Sequence, residues 1–247
     1  MKKIFSLFIC QLIFSHFAYS QDSFYMEYAM NIGDSKETMK SSNKTWHSSF
    51  GSRVESEMII PGFGLKKTIM IMPKSNPDII YTLDETNKTY TEIKKQDDND
   101  SKDNEEYTVE IIGQEKVAGY NCTHAKIKTN DGVMEMWTTK DIDGYKEMYN
   151  KAMMQKKSAG IEKAMKSNEQ LMGIMVRMKS GNKKEGSFTM ELVKFEKGNY
   201  PQAMFEIPAG YTKGASFDPA KMQNMTTEER QKMMEELMKQ YGKEEKE

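Results

Sequence analysis

Between Phe24 and Ile32 the chain alternates strictly: Phe24, Met26, Tyr28, Met30 and Ile32 fall on one side, and Tyr25, Glu27, Ala29 and Asn31 on the other. Successive side chains of a strand point to opposite faces, so a period of two commits this segment to a half-buried strand rather than to a helix. The same period recurs along the chain. Arg53, Glu55 and Glu57 mark a wet face in the stretch 46–60, which accommodates a second and a third strand. Strand-like runs at 68–72, 79–83 and 89–93 follow, separated by the turn-rich stretches 73–78 and 84–88. Further runs lie at 107–112, 123–129, 133–138, 174–179 and 187–196, and Asn130-Asp131-Gly132 supplies the positive φ that a hairpin turn requires. Strands this closely spaced predict a meandering antiparallel sheet of seven to ten strands.

Two segments break the period. Asp143 has the position of a helix cap, followed by Tyr145, Met148, Tyr149, Ala152 and Met153 on one helical face, with Gly160 as a break. Near the C-terminus, Thr226 and Glu229 have capping-box spacing, and Met233, Met234, Leu237, Met238 and Tyr241 form an apolar stripe before the charged tail 243–247. The residues 96–106 are rich in Asp, Asn and Glu and contain no apolar side chain, and they read as an exposed, mobile loop. The expected fold class is therefore α+β, mainly β: a curled antiparallel sheet, or incomplete β-barrel, wrapped around a helical insertion. The expected organisation is a signal peptide over 1–20, a half-barrel domain over 21–218, and a C-terminal amphipathic helix with a charged tail over 219–247.

The start of the chain bears on where it works. Lys2 and Lys3 precede an apolar run over 4–17 and then Ala18-Tyr19-Ser20, the pattern of a secretory signal cleaved near Ser20. That run is shorter than the ~20 residues of a membrane span. Cys10 lies within it behind Ile9, not behind a small residue at a cleavage point, so the expectation is a periplasmic or secreted protein without a lipid anchor. The chain has 36 Lys and Arg against 37 Asp and Glu; losing Lys2 and Lys3 leaves 34 against 37, a net charge of −3, which gives no support to nucleic-acid binding. Cleavage also removes Cys10, so Cys122 would be the one cysteine left and could form no internal disulfide. The 23 methionines are the compositional outlier, and Met suits a core or a greasy cavity equally.

Several segments resemble a known family. They are Met70-Ile71-Met72-Pro73-Lys74-Ser75-Asn76-Pro77 with Tyr81, then 113–117 with Gly119-Tyr120-Asn121-Cys122-Thr123-His124, then Met136-Trp137-Thr138-Thr139-Lys140-Asp141-Ile142, and Phe205-Glu206-Ile207-Pro208-Ala209-Gly210-Tyr211. Together they resemble the exported family known as domain of unknown function 4412. That family is similar, more remotely, to periplasmic lipoprotein carriers and outer-membrane lipoprotein receptors. The resemblance implies an incomplete barrel over an apolar cavity and a lipid or lipoprotein ligand, with no catalytic residues to carry over.

The candidate sites follow. Met26, Met70, Met72, Met134, Met136 and Trp137 are expected to line a cavity if the sheet curls, unless helices from 143–170 fill it. Cys122, His124, Met134 and Met136 could offer soft ligands to a metal, cuprous ion above all, although two of the first kind are too few for structural zinc. A nucleophilic Cys122 would need a base and an orienting group, and His124 alone does not make a triad. Pro61-Gly62-Phe63-Gly64 has no helix start behind it to bind phosphate. The sequence thus points to an exported, non-enzymatic binder or carrier of a lipophilic ligand with no cofactor. The alternatives are a copper-handling or redox-buffering protein using Cys122 and methionines, and a structural envelope protein acting through its sheet edge or C-terminal helix.

Overall fold

The computed structural model describes residues 23–33, 38–60, 64–94, 107–129, 132–149, 165, 168–182 and 186–214. The signal segment, the loop 96–106 and the C-terminal helix expected from sequence lie outside these residues. Twelve strands form one sheet: β1 (Phe24–Gly33), β2 (Thr38–Ser48), β3 (Gly51–Ile60), β4 (Gly64–Pro73), β5 (Ile79–Asp84), β6 (Thr89–Lys94), β7 (Tyr107–Val117), β8 (Tyr120–Thr129), β9 (Gly132–Thr139), β10 (Ile174–Asn182), β11 (Gly186–Lys197) and the two-residue β12 (Thr212–Lys213). Their order is β12-β6-β5-β4-β3-β2-β1-β11-β10-β9-β8-β7. Two antiparallel meanders, β1 to β6 and β7 to β11, are thus joined at the centre, where β1 pairs with β11. Only β12 runs parallel to its neighbour, β6.

This order has a geometric consequence. β6 and β7 are consecutive in the chain yet ten inter-strand steps apart, which at roughly 4.8 Å a step is about 48 Å in a flat sheet. The link from Lys94 to Tyr107 is 107 − 94 = 13 residue steps, about 45 Å when fully extended. It must also cross the length of the strands, because Lys94 pairs with Ile79 at the Phe24 end of the sheet and Tyr107 pairs with Thr129 at the Gly33 end. The sheet therefore has to curl for the chain to close. Bulges at Glu27/Tyr28, Met175/Arg177 and Ile111/Gly113 interrupt the register; bulges sharpen local twist and bend the strands that carry them.

The observed strand number exceeds the seven to ten expected. β12, whose two residues have no periodicity to read, was not expected, and β2, expected only within 46–60, begins at Thr38 because its polar first half Thr38–Asn43 conceals the strand that pairs with β1. Hairpin β2–β3 turns against Pro73: Gly51 has φ 146°, and a Cβ there would stand 2.4 Å from the Met72 carbonyl oxygen. Of the helical insertion, the described residues show a helical turn over 145–149 and helical Met165. A sheet wrapped around a helical insertion is therefore seen only as far as that turn, whose Met148 and Tyr149 are buried as the sequence pattern required. Ala152, Met153 and Gly160 lie outside the described residues. Asp143, expected as the cap, instead pairs with Lys197 across 2.6 Å.

Three apolar clusters make the core. The first gathers Phe24, Val117, Cys122, Trp137, Ile142, Met148, Ile174, Val176 and Leu192, and the second Ile127, Met136, Tyr149 and Met165. The third lies at the other side of the sheet, where Ile69, Ile71 and Leu83 pack with Tyr81, Tyr90, Ile207 and Tyr211. Here the segment 201–213, with a 3-10 turn over Gln202–Phe205, acts as a strap: Phe205 is buried, Arg53 donates to the Met204 carbonyl oxygen, and Gly214 N donates to Tyr90 O.

Candidate binding face

The register sorts the sheet into two unlike faces. On one face, successive cross-strand partners run Met136–Met178–Met190–Met30–Ser41–Met58 across six adjacent strands from β9 to β3. One row away stand Met134, Ser180, Phe188, Ile32 and Met39. Beyond Tyr28, the row Phe195–Met26–Thr45–Val54–Met70–Thr82–Thr91 continues the face to β6, and Phe24–His47–Ser52–Met72 follows it. Ten methionines share this side: Met26, Met30, Met39, Met58, Met70, Met72, Met134, Met136, Met178 and Met190. Met136 is buried and the other nine are half-buried.

Several polar side chains of the methionine face are uncharged and hydrogen-bond one another. Asn43 Nδ2 donates to Ser56 Oγ at 3.0 Å, Thr45 Oγ1 to Asn43 Oδ1 at 3.1 Å, and Ser41 Oγ to the Glu57 carbonyl oxygen at 2.9 Å. Tyr28 donates to the Met175 carbonyl oxygen at 2.9 Å, and burial pushes its phenol well above the usual range, so it stays an uncharged donor. Lys66, Asp84 and Lys197, at the margins, are the charged members of the rows above.

The reverse face carries the charge. Glu27 stands opposite Lys44, Lys44 opposite Glu55, and Glu55 opposite Ile69. Arg53 binds Glu55 at 2.8 Å, Lys67 reaches Glu85 at 2.9 Å, and Arg177 binds Glu191 at 2.8 Å. Where this face is apolar, at Ile69, Ile71 and Leu83, the strap covers it.

The sequence candidates divide accordingly. Met26, Met70, Met72, Met134 and Met136 all lie on the methionine face. Trp137 does not: it pairs with His124 and Arg177, whereas Met136 pairs with Ala125 and Met178, so the two neighbours point to opposite faces. Trp137 stacks on His124 with centroids 4.1 Å apart, lies under Arg177 and Lys179, and donates Nε1–H to Glu115 at 2.7 Å. Its indole is thereby fixed among charges. His124 also meets Glu135 at 3.0 Å. Sequence reading missed Met30, Met39, Met58, Met178 and Met190; alternation from Met26 and Val176 was the signal that could have found Met30 and Met178, and the other three needed the pairings of β11 with β1, of β1 with β2 and of β2 with β3.

The four suggested metal ligands split two and two. Cys122 and His124 alternate with Ala125, the partner of Met136, so they point away from the side that holds Met134 and Met136. Cys122 is fully buried, its thiol donates toward the Tyr120 carbonyl oxygen at 3.6 Å, and burial pushes its pKa up to about 11. A thiol so held is a poor nucleophile at neutral pH. A separate concavity of about 290 Å³ lies at the β2–β3 and β4–β5 turns, between Phe50, Pro73, Lys74 and the strap residues Phe205 and Glu206. Among the described residues, no helix is long and apolar enough to cross a membrane.

None of the curated proteins compared with the sequence matches it. Among solved structures, MucB in complex with MucA(peri) is similar at 12% identity and a TM-score of 0.38, over 77% of this chain and 56% of that one. The chain thus spans little more than half the length of MucB as solved there. A DUF1329 family protein from Desulfovibrio piger ATCC 29098 gives 16% identity and a TM-score of 0.31, over 76% and 91% of the two chains. A LolA superfamily protein from Nitrosomonas europaea gives 8% and 0.32, over 75% and 90%. The family model described as Domain of unknown function (DUF4412) matches residues 24–211, most of the chain, and the protein belongs to that family.

Proposed function

We propose that this protein is an exported binder or carrier of an acyl-bearing ligand, a lipid or a lipoprotein, and performs no chemistry on it. The observation that carries the reading is the uncharged methionine face. Tyr149 and Met165 pack with Ile127 and Met136 at its β8–β9 end, whereas Met58, Met70 and Met72 belong to none of the three core clusters. Half-buried thioethers interleaved with self-satisfied hydroxyls offer contact area without demanding a hydrogen-bond pattern from the ligand.

The magnitudes favour a long chain over a small polar molecule. Each methylene buried contributes about 0.8 kcal/mol, so a dozen give on the order of 10 kcal/mol before the costs of ordering and association. Methionine, unbranched and polarizable, repacks around chains of different length at little cost. The raised thiol of Cys122 and the separation of His124 from the methionine face keep these two candidates away from such a ligand.

The test is native mass spectrometry of the mature protein purified from its own envelope, with organic extraction of what leaves with it. A co-purifying acyl-bearing molecule, lost in Met70→Glu and retained in Lys128→Glu on the charged face, is the expected result. An empty protein that also fails to take up fluorescent acyl chains would overturn the reading.

A further inference from the structure

We infer that the row Met30–Met190–Met178, closed by buried Met136, is a thioether site for a soft monovalent cation, cuprous ion being the one that biology supplies. This goes beyond the ligand proposed above and does not depend on it. It also differs from the sequence-based set, since neither Cys122 nor His124 takes part.

The register is the first support. Met136 pairs with Met178, Met178 with Met190, and Met190 with Met30, so four methionines on four adjacent strands face the same side with no residue between them. Directly paired residues have Cα atoms about 4.5–5.5 Å apart, and a Met side chain has three rotatable bonds. Neighbouring sulfurs can therefore converge on one ion without any movement of backbone. Three of the four are half-buried, which leaves the row reachable, and Met136 forms its sealed end.

Composition is the second support. The chain has 23 methionines but only seven leucines, Leu7, Leu12, Leu65, Leu83, Leu171, Leu192 and Leu237. Leucine is ordinarily among the commonest residues and fills a similar volume, so a need for apolar bulk alone does not explain the choice. What methionine adds is a soft sulfur that needs no deprotonation. Thioethers select Cu(I) over hard cations, and neutral ligands in a neutral surrounding suit a single positive charge better than a divalent one. Among the described residues, the charged side chains nearest in register belong to the reverse face and bring no carboxylate to recruit zinc or calcium.

The test uses the full mature chain, titrated anaerobically with Cu(I) against a chromophoric chelator and, separately, with Ag(I). One ion per chain is expected, with copper X-ray absorption showing sulfur scatterers only. Met190→Leu should weaken binding at least about tenfold, and Met178→Leu/Met190→Leu should remove it, since soft sulfur supplies the affinity. Cys122→Ser should leave it within about twofold. Met70→Glu, outside this row, should lose acyl uptake and keep Cu(I) binding, which separates this inference from the carrier reading. Absence of binding, unchanged binding in the double variant, or loss of binding in Cys122→Ser would each overturn it. A thermal melt of each variant shows whether lost binding reflects lost folding; if the double variant does not fold, Met178→Leu and Met190→Leu are read singly against the same tenfold expectation.

Discussion

Met70 and Ile71 are neighbours on β4, similar in bulk, and lead opposite lives. Ile71 is fully buried on the charged face, where the strap seals it among Ile69, Leu83 and Tyr81, while Met70 is half-buried between Val54 and Thr82 on the face without charge. On the charged face Ile69, Ile71 and Leu83 hold the strap while Ile59 and Leu65 stay exposed; the methionine face spreads its apolar residues over the whole width of the sheet and leaves Met58, Met70 and Met72 outside the core clusters. On the proposed reading, stability and binding fall to different sides of the same strands.

The comparison can be broken by experiment, most forcefully at β4 itself. Ile71→Glu should abolish cooperative folding, because an unpaired charge buried there costs more than about 4 kcal/mol. Met70→Glu, one residue away, should lower urea-derived stability by less than about 2 kcal/mol while removing acyl uptake. Equal losses in the two variants would sink the division of labour. Removing the strap's anchor with Phe205→Ala should cost about 3–4 kcal/mol in the same urea assay, as for other large-to-small changes in a core.

A smaller effect tests the charged face. Arg177→Ala removes the ion pair with Glu191 and the cation over Trp137, and should cost about 1 kcal/mol, since both partners are partly solvated. Its Trp fluorescence should shift while acyl uptake stays the same. Cys122 provides a kinetic reading: with its pKa pushed up to about 11, the native thiol should resist a disulfide reagent at pH 8 and react fully only on unfolding. Rapid labelling of the folded protein would contradict its burial.

The smallest effect is a matter of pH. Burial by itself would raise the Asp84 carboxyl, but N–H donors of Asn87 and Thr86 outweigh it and hold the group below the ordinary carboxylate range. A carboxyl lowered in the fold stabilises the β5–β6 turn fully above the unfolded pKa, and that support fades as pH falls through the folded value. Hydrogen exchange of the Thr86 and Asn87 amides should therefore quicken in acid before the rest of the sheet responds. Asp84→Asn should remove most of that pH dependence.

Most of the strands were legible because their period of two is local. Phe24 to Ile32, the hairpin at Gly132 and the alternation after Gly173 all declare themselves within ten residues. β2 was obscured because its face toward the ligand side is built from Ser41, Asn43 and Thr45, which carry no apolar signal although they hydrogen-bond one another in the sheet. The methionine row was illegible for a different reason. It exists only once β1 meets β11 and β9 meets β10, and no window along the chain contains those pairings. Trp137 shows the same limit, for its aromatic character suggested a cavity, and register alone decides that it belongs with His124 and Arg177.

The central seam between β1 and β11 also constrains how the chain can be made. Phe24 pairs with Lys197, 197 − 24 = 173 positions later, so the first strand to leave any synthesis or export channel is among the last to receive its second neighbour. Until then β1 is an open edge with an apolar side, the arrangement most prone to pairing with the wrong chain. Such long-range closure is slow, because the entropy of closing the loop is lost before the contacts are gained. A chain with this topology benefits from being kept extended until all of it is available to fold, and its folding clock starts only when β11 arrives.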